Sequence, residues 1–214
     1  MVASSARSAK APGEASSKSR SRTVDGRLKS RLLRLLKQHA YREGAVRLSS
    51  GKSSEYYVNA KMVTLRPDGS WLVATLFLDL IRRERFDAVG GPTLGADPIV
   101  GAMAALSFTR RKPLTALIVR KEAKEHGAGR QVEGPQLPAG ARVLAVEDVT
   151  TTGGSLERAI VALRACGYRV DEALTIVDRG EGGRERLSAL GCRLRSLFTS
   201  EDFRVVKRRR AMLH

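Results

Sequence analysis

The chain has 214 residues, of which 42% are hydrophobic and 29% are charged, and its formal net charge is +17. It is long enough to bury one sizeable core, and no segment approaches the roughly 18 to 20 consecutive apolar residues of a membrane-spanning helix. Cys166 and Cys192 form no CxxC pair, which excludes a disulfide framework and a zinc site and predicts buried free thiols. We expect a soluble, cytoplasmic protein without a membrane partner.

The positive charge is concentrated at the two ends of the chain. Residues 1–31 carry eight Lys and Arg against two acids, and residues 204–214 carry five against none, which leaves +6 of the +17 for the body. Residues 1–24 have scarcely a large apolar side chain, which predicts a disordered basic tail, then one domain over 25–205 and a basic C-terminal tail over 206–214. Such charges are typical of solvated tails, so we do not expect a nucleic-acid partner.

Apolar patterns along the body alternate between strands and helices. Asp25 is suited to cap a leucine-rich first helix. The further predicted elements are a turn over 67–69, a helix over 71–81, a strand over 87–90, a turn over 91–97, a helix over 98–108, and strands over 115–119, 143–146, 173–177 and about 193–198. This alternation favours an α/β fold with a mostly parallel, doubly wound sheet and ligands outside the carboxyl ends of the strands. The loops after Val89, Val119 and Val146 then share one edge.

The most informative segment is residues 143–155, in which a buried strand ends in two acids and a glycine-rich turn opens a helix. Unpaired N–H groups of a first helical turn, threonine hydroxyls and glycines together predict a phosphate site. Glu147 and Asp148 would repel that phosphate, and as ionised acceptors they suit the hydroxyls of a ribose. The predicted site residues are Glu147, Asp148, Val149, Thr150, Thr151, Thr152, Gly153, Gly154 and Ser155.

The segment does not fit two other common nucleotide-binding motifs. A Walker A loop needs a phosphate-binding lysine and a dinucleotide fingerprint needs GxGxxG after a strand, and the segment supplies neither. A glycine-rich turn with two surface acids remains the structural alternative.

A second basic segment follows the strand over 115–119. It carries Arg120, Lys121, Lys124 and His126 among glycines, directly after a buried strand. Cations between glycine hinges predict a mobile lid over a polyanionic ligand, whereas a plain charge run would be a solvated face.

Residues 143–155 resemble the phosphoribosyl pyrophosphate motif of type I phosphoribosyltransferases, with four apolar residues, two acids and a Thr/Gly-rich turn. Three further segments, Leu48–Asn59, Arg120–Gly127 and Asp178–Glu181, resemble the orotate phosphoribosyltransferase family and occur in its order. The resemblance implies a type I phosphoribosyltransferase fold with a small N-terminal hood subdomain.

The resemblance also implies an activity: Mg²⁺-dependent transfer of a phosphoribosyl group from phosphoribosyl pyrophosphate to orotate, giving orotidine 5′-monophosphate and pyrophosphate in pyrimidine biosynthesis. Lys124 would act on the leaving pyrophosphate, Arg120, Lys121 and His126 would bind phosphates, and Glu147 and Asp148 would hold the ribose. Substrate and water, with no direct protein ligand, would hold the Mg²⁺. The family implies a homodimer with shared active sites.

Orotate is a flat, anionic pyrimidine, and a site for it needs an aromatic surface, hydrogen bonds and a cation. Tyr56 and Tyr57 can supply the surface, Thr151 a hydroxyl and Arg179 a bidentate clamp for the carboxylate. Strand packing is the alternative role of the two tyrosines.

The chain departs from some family members at two places. Ser49 stands where some carry a lysine, and Gly95-Ala96 replaces a lysine of the family's pyrophosphate loop, which here is Gly91–Asp97. Pyrophosphate must then depend more on backbone, metal and the Arg120 segment. Two rivals stay open: a purine-base phosphoribosyltransferase, which should lack the lid and Arg179, and a regulator of the same fold that senses the donor and binds nucleic acid through the tails.

Overall fold

The computed structural model describes residues 25–47, 53–122 and 131–203. The predicted tails over 1–24 and 206–214 lie outside these residues. The helices are α1 (Gly26–Leu35, continued by a π-helical turn Leu36–Ala40), α2 (Lys61–Thr64), α3 (Pro67–Leu80), α4 (Asp97–Thr109), α5 (Gly154–Ala165) and α6 (Gly183–Ala189). The strands are β1 (Tyr41–Arg47), β2 (Ser53–Val58), β3 (Ala88–Pro92), β4 (Thr115–Val119), β5 (Val132–Glu133), β6 (Val143–Thr150), β7 (Glu172–Asp178) and β8 (Arg193–Thr199).

Within the described residues, the main sheet has six strands in the order β5-β4-β3-β6-β7-β8. All pairs are parallel except β4 with β5, and Ala88 lies beside both Thr115 and Val143, so β3, β4 and β6 run in step toward one edge. Leu144 and Val146 pack on one side of the sheet, while Ala145 packs under α5 on the other. The predicted doubly wound α/β fold is confirmed.

A small N-terminal subdomain covers the carboxyl edge of the sheet. Its antiparallel β1-β2 hairpin is preceded by α1, whose N-cap Asp25 accepts a hydrogen bond from the Arg27 N–H at 2.9 Å. A Cβ at Gly69 would lie 2.1 Å from the carbonyl oxygen of Val63, so only glycine lets α3 begin directly against α2. This close packing fixes α2 at the sheet edge.

Three sequence-based predictions are corrected by the structure. Residues 67–69 form the first turn of α3 instead of a separate turn, because proline is tolerated at the first helical position and Asp68 suits the positive helix end. Strand β6 continues to Thr150 instead of ending at Val146, since its neighbour β7 pairs along the whole segment. Cys166 follows α5 and is exposed, whereas Cys192 is buried as predicted.

Candidate active site

Four loops meet at the carboxyl edge of the parallel strands. They follow β3, β4, β6 and β7, and their described residues are 93–96, 120–122 with 131, 151–153 and 179–182. This is the edge that the sequence predicted for ligands, and the described candidate residues outside β2 lie on these loops, on the strand ends or in the first turn of α5. The β1-β2 hairpin and α2 approach the same edge from the N-terminal subdomain.

The acidic pair lies inside strand β6 rather than in the loop after it. Consecutive strand residues point to opposite faces, so Glu147 lies on the α5 side with Ala145, and Asp148 lies on the side of α2 and α4. Glu147 accepts a hydrogen bond from Thr150 Oγ1 at 3.2 Å. Asp148 Oδ1 accepts from the Val149 N–H at 2.8 Å. Glu147 and Asp148 are both buried, each residue being 8% exposed.

The surroundings of Glu147 disfavour its ionised form. Burial, with the negative charge of Asp148 beside it, raises the pKa of Glu147 from 4.5 to about 8, although Thr150 and Arg158 act in the opposite direction. At pH 7 the Glu147 carboxyl is therefore mostly neutral. The sequence predicts ionised acids here, because it carries no signal for the burial of Glu147 in the folded sheet.

The glycine-rich turn after β6 is held against the start of α6. Gly153 has φ +78°, and a Cβ there would lie 3.0 Å from Gly183 Cα. Thr151 and Thr152 are half-buried, and Ser155 is exposed at the first turn of α5. The predicted residues from Thr150 to Ser155 thus run from the end of β6 through a turn into the first turn of α5, at the positive end of that helix, which is the arrangement that binds phosphate groups.

Cations gather beside this loop. Arg120 and Lys121, at the end of β4, line a small cleft with Thr93, Ser155 and Arg158. The Arg120 guanidinium also lies 3.5 Å from the Glu133 carboxylate. Lys124 and His126 lie outside the described residues. Arg158 was not predicted from the sequence. It could have been found from its position, because it is a cation one turn into the helix that follows a phosphate-type loop, and it contacts Ser155.

On the other side of the acids, Arg179 and Tyr56 come together. The Arg179 guanidinium lies 4.3 Å from the centre of the Tyr56 ring and its Nε lies 3.1 Å from Glu181 Oε1. The Arg179 N–H donates to the Thr150 carbonyl at 2.9 Å, which ties this residue to the phosphate-type loop. Tyr57 occupies the opposite face of β2, is 37% exposed, and is not brought to this cluster.

The turn that carries Arg179 is built by Asp178. Its carboxylate is buried and accepts from the Gly180 N–H and from Arg184, each at 2.9 Å. Asp178 therefore positions Arg179 and does not face a ligand itself.

The loop after β3 approaches Asp148 closely. A Cβ at Gly95 would lie 2.4 Å from Asp148 Oδ1, and a Cβ at Gly91 would lie 2.1 Å from the Val146 carbonyl oxygen. The Thr93-Leu94 peptide bond in this loop is cis, which the sequence did not indicate. Position 95 therefore has no room for a lysine while Asp148 keeps its place.

Described residues provide no cluster of three His, Cys, Asp or Glu side chains that could hold a metal ion. Mg²⁺ commonly binds through one or two carboxylates together with substrate phosphates and water. Glu147 and Asp148 can supply at most two carboxylate ligands. The site therefore suits a Mg²⁺ ion that binds together with a phosphorylated ligand.

A parallel sheet whose carboxyl edge joins two acids, a phosphate-type loop and several cations is typical of a phosphoribosyltransferase. The cations are Arg120, Lys121, Arg158 and Arg179. Residues 66–195 match the family described as the phosphoribosyl transferase domain. The chain is 51% identical to the orotate phosphoribosyltransferase of Thermosynechococcus vestitus over 175 residues, which cover 82% of this chain and 92% of that protein. It is 48% identical to the Nostoc orotate phosphoribosyltransferase over 175 residues, covering 82% and 84% of the two chains.

The structure also resembles solved members. The orotate phosphoribosyltransferase of Mycobacterium tuberculosis H37Rv, in complex with 5-phospho-α-D-ribosyl 1-diphosphate, superposes with a TM-score of 0.67 at 31% identity, covering 83% of this chain and 92% of that one. The chain belongs to the orotate phosphoribosyltransferase family, a family of transferases. The fold and family predicted from the sequence are confirmed. No helix in the parts of the chain described above has the length and apolar character of a membrane span.

Proposed function

We propose that this protein transfers the phosphoribosyl group of phosphoribosyl pyrophosphate to orotate in pyrimidine biosynthesis. One observation carries the proposal: the Asp148 strand end and the Thr150–Ser155 loop, which suit a ribose phosphate, adjoin the Arg179–Tyr56 pair, which suits an anionic aromatic ring. The Arg179 N–H bond to Thr150 joins the two halves into one site. Donor and acceptor can therefore bind side by side.

The donor is proposed to bind along the sheet edge. Its 5′-phosphate lies at the Thr150–Ser155 loop, where the first helical turn and the hydroxyls donate hydrogen bonds. Its ribose hydroxyls donate to Glu147 and Asp148. Its pyrophosphate lies between the loop after β3 and the cleft of Arg120 and Lys121, where cations neutralise its charge.

Orotate is proposed to bind between the Thr151 hydroxyl and Arg179. A guanidinium can pair with a carboxylate through two parallel hydrogen bonds, and Tyr56 keeps it oriented by lying under it. Tyr57 reaches this place only if the hairpin moves when ligands bind, so its proposed contact depends on that movement.

The reaction exchanges one bond at the sugar carbon for another. The ring nitrogen of orotate bonds to the ribose carbon and loses its proton to water or to the departing pyrophosphate. The bond between the ribose carbon and pyrophosphate breaks, and its electron pair leaves with the pyrophosphate. Positive charge grows on the ribose beside Glu147 and Asp148, and negative charge grows on the leaving group beside Arg120, Lys121 and, by family resemblance, Lys124. A bound Mg²⁺ would add charge neutralisation at the pyrophosphate. No protein nucleophile is needed.

The proposal is tested by the loss of orotate absorbance when the protein meets orotate, phosphoribosyl pyrophosphate and Mg²⁺, beside a panel of purine bases. Orotate-selective turnover that collapses in Lys124→Ala would support it. Turnover of a purine base alone would favour a purine-base enzyme, and donor binding without turnover of any base would favour a regulator. The cytoplasmic location stays a prediction.

A homodimer is proposed as the active assembly. An apolar groove between α3 and α4 is lined by Trp71, Ala102 and Ala105, and Leu94 of the loop after β3 is also exposed. A second copy seated there would bring its own loops next to this site, as the family resemblance implies for shared active sites.

We expect Trp71→Glu with Ala105→Glu to convert the dimer into monomers and to reduce turnover, because two charges would be buried at the groove. Light scattering during size-exclusion chromatography measures the mass. Val161→Glu is the matched control, since Val161 is 53% exposed on α5, on the opposite side of the sheet. A double variant that remains dimeric would place the interface elsewhere.

We expect Gly95→Ala to reduce kcat/KM for the donor by about 100-fold while the thermal midpoint changes little. The added Cβ would meet Asp148 Oδ1 at 2.4 Å and push the carboxylate away from the ribose site. Steady-state kinetics and a melting curve separate the two effects. Gly101→Ala is the control because a Cβ there meets nothing within 4 Å. Wild-type kinetics in Gly95→Ala would show that the position of Asp148 is not critical.

A further inference from the structure

The loop after β3 brings no cation of its own to the predicted pyrophosphate position. Gly95 occupies the place of the lysine that some family members carry, and its close approach to Asp148 leaves no space for a longer side chain. Between Pro92 and Ala96 the loop has only uncharged residues. A ligand that brings several negative charges to this loop must find its cations on neighbouring elements.

One cation reaches this point from the N-terminal subdomain. Lys61 is the first residue of α2, and its Nζ lies 3.6 Å from Asp148 Oδ2. Gly95 packs against the same carboxylate from the loop after β3. The carboxylate of Asp148 thus has a glycine on one side and an ammonium group on the other, at the strand end where the ribose and its leaving group are proposed to meet.

The backbone that carries Lys61 is fixed although its side chain is not buried. Ala60 and Val63 on either side of it are fully buried, and Gly69 allows α3 to pack directly on the Val63 carbonyl. The Lys61 side chain is 38% exposed. A long stem on a fixed backbone lets the ammonium group change partners without movement of the main chain.

We propose that Lys61 is a donor-binding residue that supplies the pyrophosphate cation missing from the loop after β3. In this structure it pairs with Asp148. When the donor binds, Asp148 accepts the ribose hydroxyls and the ammonium group of Lys61 turns to the oxygens of the pyrophosphate. The inference rests on the proposed function, because it assigns a residue to the donor of that reaction.

Because of this exchange of partners, Lys61 and Asp148 should have different effects on the binding of a ligand that has no ribose. Inorganic pyrophosphate with Mg²⁺ offers oxygens for Lys61 and no hydroxyls for Asp148. Lys61 and Asp148 attract each other, so removal of the Asp148 charge frees the Lys61 ammonium group for pyrophosphate. Loss of Lys61 and loss of the Asp148 charge should therefore act in opposite directions on pyrophosphate binding.

The experiment is calorimetric titration of the full chain with magnesium pyrophosphate and, separately, with phosphoribosyl pyrophosphate. We expect Lys61→Ala to weaken binding of both at least about tenfold and Lys61→Arg to restore most of it. Asp148→Asn should weaken binding of the donor and strengthen binding of magnesium pyrophosphate. In turnover, Lys61→Ala should raise KM for the donor while KM for orotate stays within about twofold. Lys112→Ala is the matched control, since Lys112 donates to the Arg82 carbonyl far from the sheet edge.

Three outcomes separate the possibilities. Unchanged pyrophosphate binding in Lys61→Ala overturns the inference while leaving the enzyme intact. A lower thermal midpoint with equal losses toward donor and orotate gives Lys61 a purely structural role and also overturns it. If wild-type protein binds neither pyrophosphate nor donor, the proposed function fails before Lys61 is considered.

Discussion

The unfolding free energy of the protein should fall steeply as the pH rises from about 4.5 to about 8, and Glu147→Gln should remove that dependence. The pKa of Glu147 is raised to about 8 in the folded chain, because burial and the charge of Asp148 disfavour its ionised form. In the unfolded chain the same group ionises near 4.5. Folding therefore takes up a proton between these values, and each pH unit lowers the unfolding free energy by about 1.4 kcal/mol.

The sign follows from the raised pKa. Below a pH of about 4.5 Glu147 is neutral in both the folded and the unfolded chain, and the full unfolding free energy is present. The unfolding free energy then falls as the pH rises, and the fall is complete above about 8, where Glu147 is ionised in both states. Across the interval it amounts to roughly 4 to 5 kcal/mol. Urea unfolding at a series of pH values measures it as the difference between wild type and Glu147→Gln. Glu157→Gln on the outer side of α5 serves as the control and should keep the wild-type profile.

The same group should shape the pH dependence of catalysis. If ionised Glu147 accepts a ribose hydroxyl, kcat/KM for the donor rises about tenfold per pH unit below about 8 and levels off above it. Glu147→Gln should be slower and flatter over this range. A rate that instead falls as the pH rises would show that Glu147 acts as the neutral acid, donating a hydrogen bond to the donor.

Much of the fold and of the donor site could be predicted from the sequence because the signals are local. The strand over 115–119 has the bounds that its apolar run indicated, and the loop from Thr150 to Ser155 lies where a strand, two acids and a glycine turn meet in sequence. Parallel order then follows from alternating strands and helices, which brings the loops to one edge.

What the sequence could not give is set by contacts between distant segments. Tyr56 and Tyr57 are adjacent and chemically alike, yet only Tyr56 lies against Arg179, because the face of β2 that turns inward depends on packing. The sequence does not indicate a role for Lys61, because it lies outside the motifs. Only the fold brings it to Asp148. The burial of Glu147 is likewise a property of the folded sheet.

A second large effect is expected at the opposite end of the sheet, where Arg195 joins α3 to β7 and β8. Its guanidinium donates to Glu84 at 2.9 Å, to Glu172 and to the Leu80 carbonyl at 3.0 Å. The Glu172 side chain is only 3% exposed. Although burial opposes ionisation, hydrogen bonds from Glu84 and from Arg195 and Arg193 keep the pKa of Glu172 below its usual value. This buried carboxylate therefore depends on its partners for its charge.

Arg195→Met should lower the unfolding free energy by about 3 kcal/mol, since it leaves a buried carboxylate with a weaker partner. Arg193 also contacts Glu172, at 3.0 Å, but is 66% exposed, so water can replace it and Arg193→Met should cost less than about 1 kcal/mol. Denaturant unfolding at neutral pH compares the two variants, and kcat per folded molecule should stay at the wild-type value in both, because this cluster lies away from the carboxyl edge. Equal losses in the two variants would mean that Glu172 is satisfied by either arginine and that Arg195 does not join the three elements. The difference between them thus measures how far the stability of this enzyme depends on an ion cluster at the edge of the sheet that catalysis does not use.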